Sequence, residues 1–147
     1  MIDSIRIPEI EIDEKTLLSM DEREYMNASQ LGFFKQRLTA ERQALLLHID
    51  QLKTEITKSD DAAGDEADKA TREEELRFLL RQIDRESRLL PKYDAALRRI
   101  DNGTYGYCIE TDEPIGLQRL LLRPIAERSI DAKVSQEMRE PLYRRVD

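Results

Sequence analysis

Apolar side chains recur every seven residues along two stretches of the chain. Leu31, Leu38, Leu45 and Leu52 mark the first, and Leu76, Ile83, Leu90 and Leu97 the second. Such a repeat returns to one helical face every two turns and forms the seam of a coiled coil. Between the two stretches, Ser59 to Ala67 holds no apolar residue larger than Ala. The pattern predicts an antiparallel helical hairpin over 25–102 with an acidic tip near 59–68. A thin prong ending in carboxylates is a shape for reaching into a cleft.

Local signals refine the elements. Asn27 is the expected N-cap of the first helix, which runs to about Lys58, roughly 48 Å at about 1.5 Å per residue. The second helix begins near Asp68, its early carboxylates favoured by the helix dipole, and Asn102-Gly103 ends it. Pro91 interrupts that helix, so a bend is expected there, toward the base of the hairpin. Residues 1–24 form an arm with Arg6, Lys15 and Arg23 against eight carboxylates, 3 − 8 = −5. Ile5, Ile7, Ile10 and Ile12 alternate with polar residues around Pro8, which suggests extended structure. The arm is expected to be poorly ordered or to pack on the hairpin base.

Past the hairpin, Gly103, Gly106, Pro114 and Gly116 mark the turns of a small knob within 103–147. Its expected core is Tyr105, Tyr107, Ile109, Ile115, Leu117, Leu120, Leu121 and Leu122. A last helix should start just after Pro124 and stop before Pro141, with Ile125, Ile130, Val134 and Met138 facing inward. The fold class is thus mostly all-α: a long coiled-coil hairpin, a small knob and a C-terminal helix.

Composition fits one small domain with an extension. Of 147 residues 37% are charged and only 5% aromatic, which suits a solvated helical pair better than a large core. Net charge is −7, which argues against direct duplex-DNA binding and suits a protein partner with a basic surface. No window of 18 apolar residues exists, and the acidic N-terminus lacks the features of a secretion signal. One cysteine, Cys108, cannot form an internal disulfide, and a cytoplasmic monomer is expected.

The stretch from Gly106 to Gly116, followed by Arg123-Pro124 and Ser129 to Ala132, has the spacing of a four-cysteine zinc module, with positions 108 and 111 paired with 129 and 132. The occupants are Cys108, Thr111, Ser129 and Ala132. One thiolate cannot hold zinc tetrahedrally, and His48 lies far along the chain, so no zinc is expected. Cys108 reads as a small buried hydrophobe or as a redox-sensing thiol, although nothing basic lies immediately beside it. No nucleophile-base constellation or Gly-rich phosphate loop is present, so no enzymatic chemistry is expected.

Glu24-Tyr25-Met26-Asn27 with Gln30-Leu31, the tip, Gly106-Tyr107-Cys108, Pro114-Ile115-Gly116 and Arg123-Pro124 together resemble the DksA/TraR family of bacterial transcription factors, here with a degenerate, single-cysteine finger. The match covers roughly Tyr25 to Arg139. The resemblance implies binding to RNA polymerase through its secondary channel, shortened open-complex lifetimes and action with the alarmone ppGpp in the stringent response. It places Asp65, Asp68 and Ala70 at the tip near the polymerase active centre. Gln82, Arg85 and Arg119 correspond to polymerase contacts, although the family has Asn where Gln82 stands. Leu89, Lys92, Arg123 and Lys133 correspond to an alarmone site shared with the polymerase. A guanosine tetraphosphate needs several cations, and three of these four supply one.

Two other readings remain. A Gre-like transcript-cleavage factor also sends an acidic-tipped coiled coil into that channel, where carboxylates recruit a second Mg²⁺. A plain coiled-coil scaffold would use Asp65 and Asp68 only to solubilise a loop and cap a helix.

Overall fold

The computed structural model describes residues 12–60 and 66–144. The extended structure expected around Ile5, Ile7 and Ile10 lies outside them. Six α-helices are found among the described residues: α1 Glu14–Ser19, α2 Ala28–Asp60, α3 Glu66–Ser87, α4 Leu90–Asn102, α5 Leu117–Leu122 and α6 Ile130–Arg144. A short 3-10 turn at Glu22–Glu24 follows α1. The one β pairing among these residues is an isolated antiparallel bridge between Tyr107 and Pro114.

The chain divides into two compact units. One is Thr39–Asp94; the other joins the residues up to Leu38 with those from Ala95 onward. In the first, the C-terminal part of α2 and the whole of α3 form an antiparallel pair. Leu45, Ile49 and Leu52 are buried on α2, while Leu76, Leu79 and Ile83 on α3 are only half-buried. Arg42 Nε donates to Asp94 Oδ1 at 2.8 Å, and the Tyr93 hydroxyl donates to Glu41 at 3.2 Å. These partly exposed contacts fix register more than they stabilise.

The second arm of the hairpin is two helices. After Ser87 the backbone makes a single tight turn, in which Leu89 N–H reaches Glu86 C=O at 3.0 Å, and α4 then restarts. Tyr93 N–H bonds to Leu89 C=O, which puts Pro91 in the first turn of α4, where a helix has no use for its missing N–H. The predicted bend at Pro91 is therefore a full break just before it. At the far end, Gly103 adopts φ 77°. Its N–H bonds to Ile100 C=O while Thr104 N–H bonds to Arg99 C=O, a Schellman stop.

The globular unit is built around Phe34, Leu38, Ala96, Ile100, Tyr105, Cys108, Ile115 and Leu120, all buried. The start of α2 belongs to it. Asn27 caps that helix, its Oδ1 accepting from Gln30 N–H at 2.9 Å. Gln30 is fully buried, and its Oε1 takes the N–H of Met26 at 2.8 Å. This holds Met26 in the left-handed region at φ 57°, uncommon for a side chain of this kind. In the described part of the arm, Asp13 caps α1, Leu17 is completely buried, and Glu14 pairs with Arg37 at 3.8 Å.

Three expectations for the knob are corrected. Ile109 and Leu122 are exposed, so the core there is Tyr105, Ile115 and Leu120. The last helix starts at Ile130, since 124–129 is irregular, and it continues through Pro141 to Arg144. Ile130, Val134 and Met138 are 61, 49 and 73% exposed, and the inward face of α6 is carried by the small Ala132.

Candidate functional site

In the knob, the four positions with metal-ligand spacing have taken on other work. Cys108 is buried, at 1% exposure. Cys108 N–H donates to Glu113 C=O at 2.8 Å, and Asp112 N–H returns to Cys108 C=O at 2.9 Å, closing a tight turn. Thr111 Oγ1 accepts from Glu113 N–H within that turn. Ser129 is the N-cap of α6, its Oγ accepting from Ala132 N–H at 3.2 Å, and Ala132 is buried. One thiol, two engaged hydroxyls and a methyl group are not a tetrahedral zinc donor set. Among the described residues no three His, Cys, Asp or Glu side chains come together as metal ligands.

Burial pushes the Cys108 thiol upward. It is outweighed by the Thr111 side chain and the N–H groups of Ser129, Glu110 and Thr111, which favour the thiolate and bring the value from 9.0 down to about 7. These dipoles do what a neighbouring cation does elsewhere.

Hydrogen bonds and aromatic packing tie the turns of the knob together. The Tyr25 hydroxyl donates to Gly106 C=O at 2.5 Å and accepts from Gly116 N–H at 3.0 Å. Ile115 N–H also bonds to Gly106 C=O, at 2.8 Å. Tyr25 meets Tyr107 edge-on with centroids 5.6 Å apart. Burial raises the pKa of the Tyr25 phenol, against the lowering by Gly116 N–H. The buried Tyr105 leans on Phe34 and donates its hydroxyl to Pro124 C=O at 2.8 Å. Arg99 reaches Glu127 at 3.3 Å, while Ile109 N–H bonds to Glu127 C=O, tying down the loop before α6.

Of the expected tip residues, Asp68 and Ala70 stand exposed in the first turns of α3, and Asp65 lies outside the described residues. Gln82 and Arg85 are on α3, and Leu89 and Lys92 flank the break before α4. Arg119, Arg123 and Lys133 belong to the globular unit. Arg119 Nε donates to Arg128 C=O at 2.9 Å, Arg123 is the exposed C-cap of α5, and Lys133 approaches Glu137 at 4.0 Å. Arg128 and Arg139 share Glu110, at 3.0 and 3.7 Å. The four residues of the expected alarmone site are thus divided two and two between the units.

The family described as "DnaK suppressor protein DksA, N-terminal domain" matches residues 30–100, and "Prokaryotic dksA/traR C4-type zinc finger" matches 103–137. A relative from Caulobacter vibrioides, "RNA polymerase-binding transcription factor DksA", is 40% identical over 84% of this chain and 87% of its own length. This chain belongs to the DksA family. The DksA of Escherichia coli K12, named in the same words, is 39% identical over 80% of this chain and 78% of its own. Among solved structures, transcription factor DksA2 from Pseudomonas aeruginosa superposes with a TM-score of 0.80 at 45% identity. That match covers 88% of this chain and 99% of DksA2. Within this DksA-family chain, residue reasoning missed Tyr25 as the pin of the knob, although it lies in the segment that carries the resemblance. It also missed Phe78, a large apolar side chain off the heptad seam and 56% exposed.

Proposed function

We propose that this chain is a transcription regulator that binds RNA polymerase and performs no catalysis of its own. The observation that carries this reading is the antiparallel helical pair of Thr39–Asp94, whose helices are linked by an acidic stretch of sequence, in a chain 40% identical to proteins named for binding RNA polymerase. The hairpin enters the secondary channel, and Asp65, Asp68 and Ala70 come near the active centre. There water is scarce, and a carboxylate pair alters the local field strongly. Gln82, Arg85 and Arg119 contact the channel rim. Leu89, Lys92, Arg123 and Lys133 complete, together with the polymerase, a site for ppGpp. Binding shortens the life of promoter open complexes.

The factor works without zinc. A chelator should leave its far-ultraviolet circular dichroism and melting temperature unchanged; marked unfolding would contradict this. The β-rich globular domain of a Gre-like factor has no counterpart in a knob whose one β pairing among the described residues is an isolated bridge. Run-off transcription from a ribosomal RNA promoter, with and without ppGpp, tests the whole proposal. Repression that deepens with ppGpp is expected. An unaltered transcript level, or 3′-trimming of RNA in a backtracked complex, overturns it.

A further inference from the structure

Phe78 is the one aromatic ring on α3, and it stands off the hairpin seam. Leu76, Leu79 and Ile83 hold the inner face of α3, yet Phe78 lies beside that seam with 56% of its surface open to water. The other two phenylalanines, Phe33 and Phe34, are half and fully buried. Phe78 forms part of the wall of two hollows on the hairpin surface, of about 440 and 320 Å³. The first is edged by Glu55, Glu74 and Glu75, the second by Arg81 and Arg85. Gln82 lines both. An apolar ring stands on a ridge with carboxylates on one side and guanidinium groups on the other.

Helical spacing puts these residues on one strip, since Phe78, Arg81, Gln82 and Arg85 are at i, i+3, i+4 and i+7. Arg81 and the three glutamates make no ion pair within the described part of the chain, and Arg85 has only a 3.9 Å contact with its neighbour Glu86. Their charges are therefore available to a partner. An aromatic anchor with a polar rim that closes water out around it has the make-up of an interface hot spot.

We infer that Phe78 is the apolar anchor of the polymerase contact. It seats against an apolar side chain of RNA polymerase that carries an acidic group on the side facing Arg81 and Arg85 and a basic group on the side facing the glutamates. This rests on the polymerase reading above, because Gln82 and Arg85, on the same strip, are its rim contacts. The charge split selects orientation: a partner ridge turned end for end meets like charge on both sides.

The test is titration of RNA polymerase core enzyme with the fluorescently labelled full-length chain. Phe78→Ala should weaken binding by about tenfold to thirtyfold, as truncation of a buried aromatic anchor does. Leu80→Ala is the control. Leu80 is 51% exposed but two residues on, and so on a different side of the helix. Its loss should leave affinity unchanged, and circular dichroism of both variants should match the parent. Arg81→Glu should weaken binding more than Arg81→Ala. Equal binding by Phe78→Ala and the parent overturns the inference while the polymerase reading stands, and so does equal weakening by Phe78→Ala and Leu80→Ala. A parent chain that fails to bind core enzyme overturns both. Sedimentation of the free chain as a dimer that Phe78→Ala dissolves would show the anchor belongs to a second copy, and would also overturn it.

Discussion

The Tyr25 hydroxyl and the Gly106 carbonyl oxygen are 2.5 Å apart across 81 residues of chain. With Gly116 N–H donating to the same hydroxyl, one phenol joins the entry to α2 to both turns of the knob. The two turns of the knob are thereby tied to each other through one side chain from outside them.

Tyr25→Phe keeps the ring and its edge contact with Tyr107 but leaves the Gly116 N–H without its partner and the Gly106 carbonyl with only the Ile115 N–H. A loss of about 1–3 kcal/mol in unfolding free energy is expected from urea denaturation. A variant as stable as the parent would show that water replaces the hydroxyl at no cost.

Gly106 and Gly103 both have positive φ but differ in surroundings. A Cβ at Gly106 would come within 2.7 Å of Met26 Cγ and 3.2 Å of the Tyr25 oxygen, whereas one at Gly103 meets nothing within 4 Å. Gly103→Ala should lose about 1 kcal/mol, the backbone cost alone. Gly106→Ala should lose clearly more and blunt the Tyr25 contact as well. Chemical denaturation of the pair checks the order.

Cys108 makes stability depend on pH. Its thiol titrates at about 7 in the fold and near the ordinary 9.0 when unfolded, so the fold favours the thiolate. That contribution is complete above about pH 9 and is lost as pH falls through about 7. The urea midpoint of the parent should therefore rise between pH 6 and pH 9 relative to that of Cys108→Ala. Parallel pH profiles would show that the dipoles around the sulfur do not select the thiolate.

Asp68→Asn removes a charge from the exposed start of α3 without altering the hairpin seam. Polymerase affinity should be retained while the effect on a ribosomal RNA promoter disappears, as read by paired binding and run-off assays. Loss of both together would argue against a role for Asp68 at the active centre.

How far the sequence disclosed this fold depended on what each pattern could report. The heptad on α2 was informative because Leu38, Leu45 and Leu52 are indeed buried. The same period on the return arm identified the face but not the break, because Pro91 is compatible with either a kinked helix or the first turn of a new one. On α6 the periodicity of Ile130, Val134 and Met138 was genuine, but it marks an outer face. Periodicity gives the angle between side chains, not which side meets the core, and the small Ala132 left no hydrophobic signal. The ligand spacing located the degenerate finger. The lowered Cys108 pKa could not be seen, because the Thr111 side chain and the backbone N–H groups behind it reach the sulfur only once the turn has folded. Tyr25 was hidden for the same kind of reason: its partners are a glycine carbonyl and a glycine amide.

Ser129 as the cap of α6 has a consequence for how such a module can change. Besides Cys108, the other three ligand-spaced positions, Thr111, Ser129 and Ala132, have occupations that a cysteine would give up. Replacing Ser129 removes a cap worth about 0.5–2 kcal/mol, and a thiol at Ala132 must fit a space shaped for a methyl group. Neither change gains anything until the other thiols are also present. Small, separate losses therefore stand between this knob and a four-thiolate site, and no single substitution supplies the missing ligands.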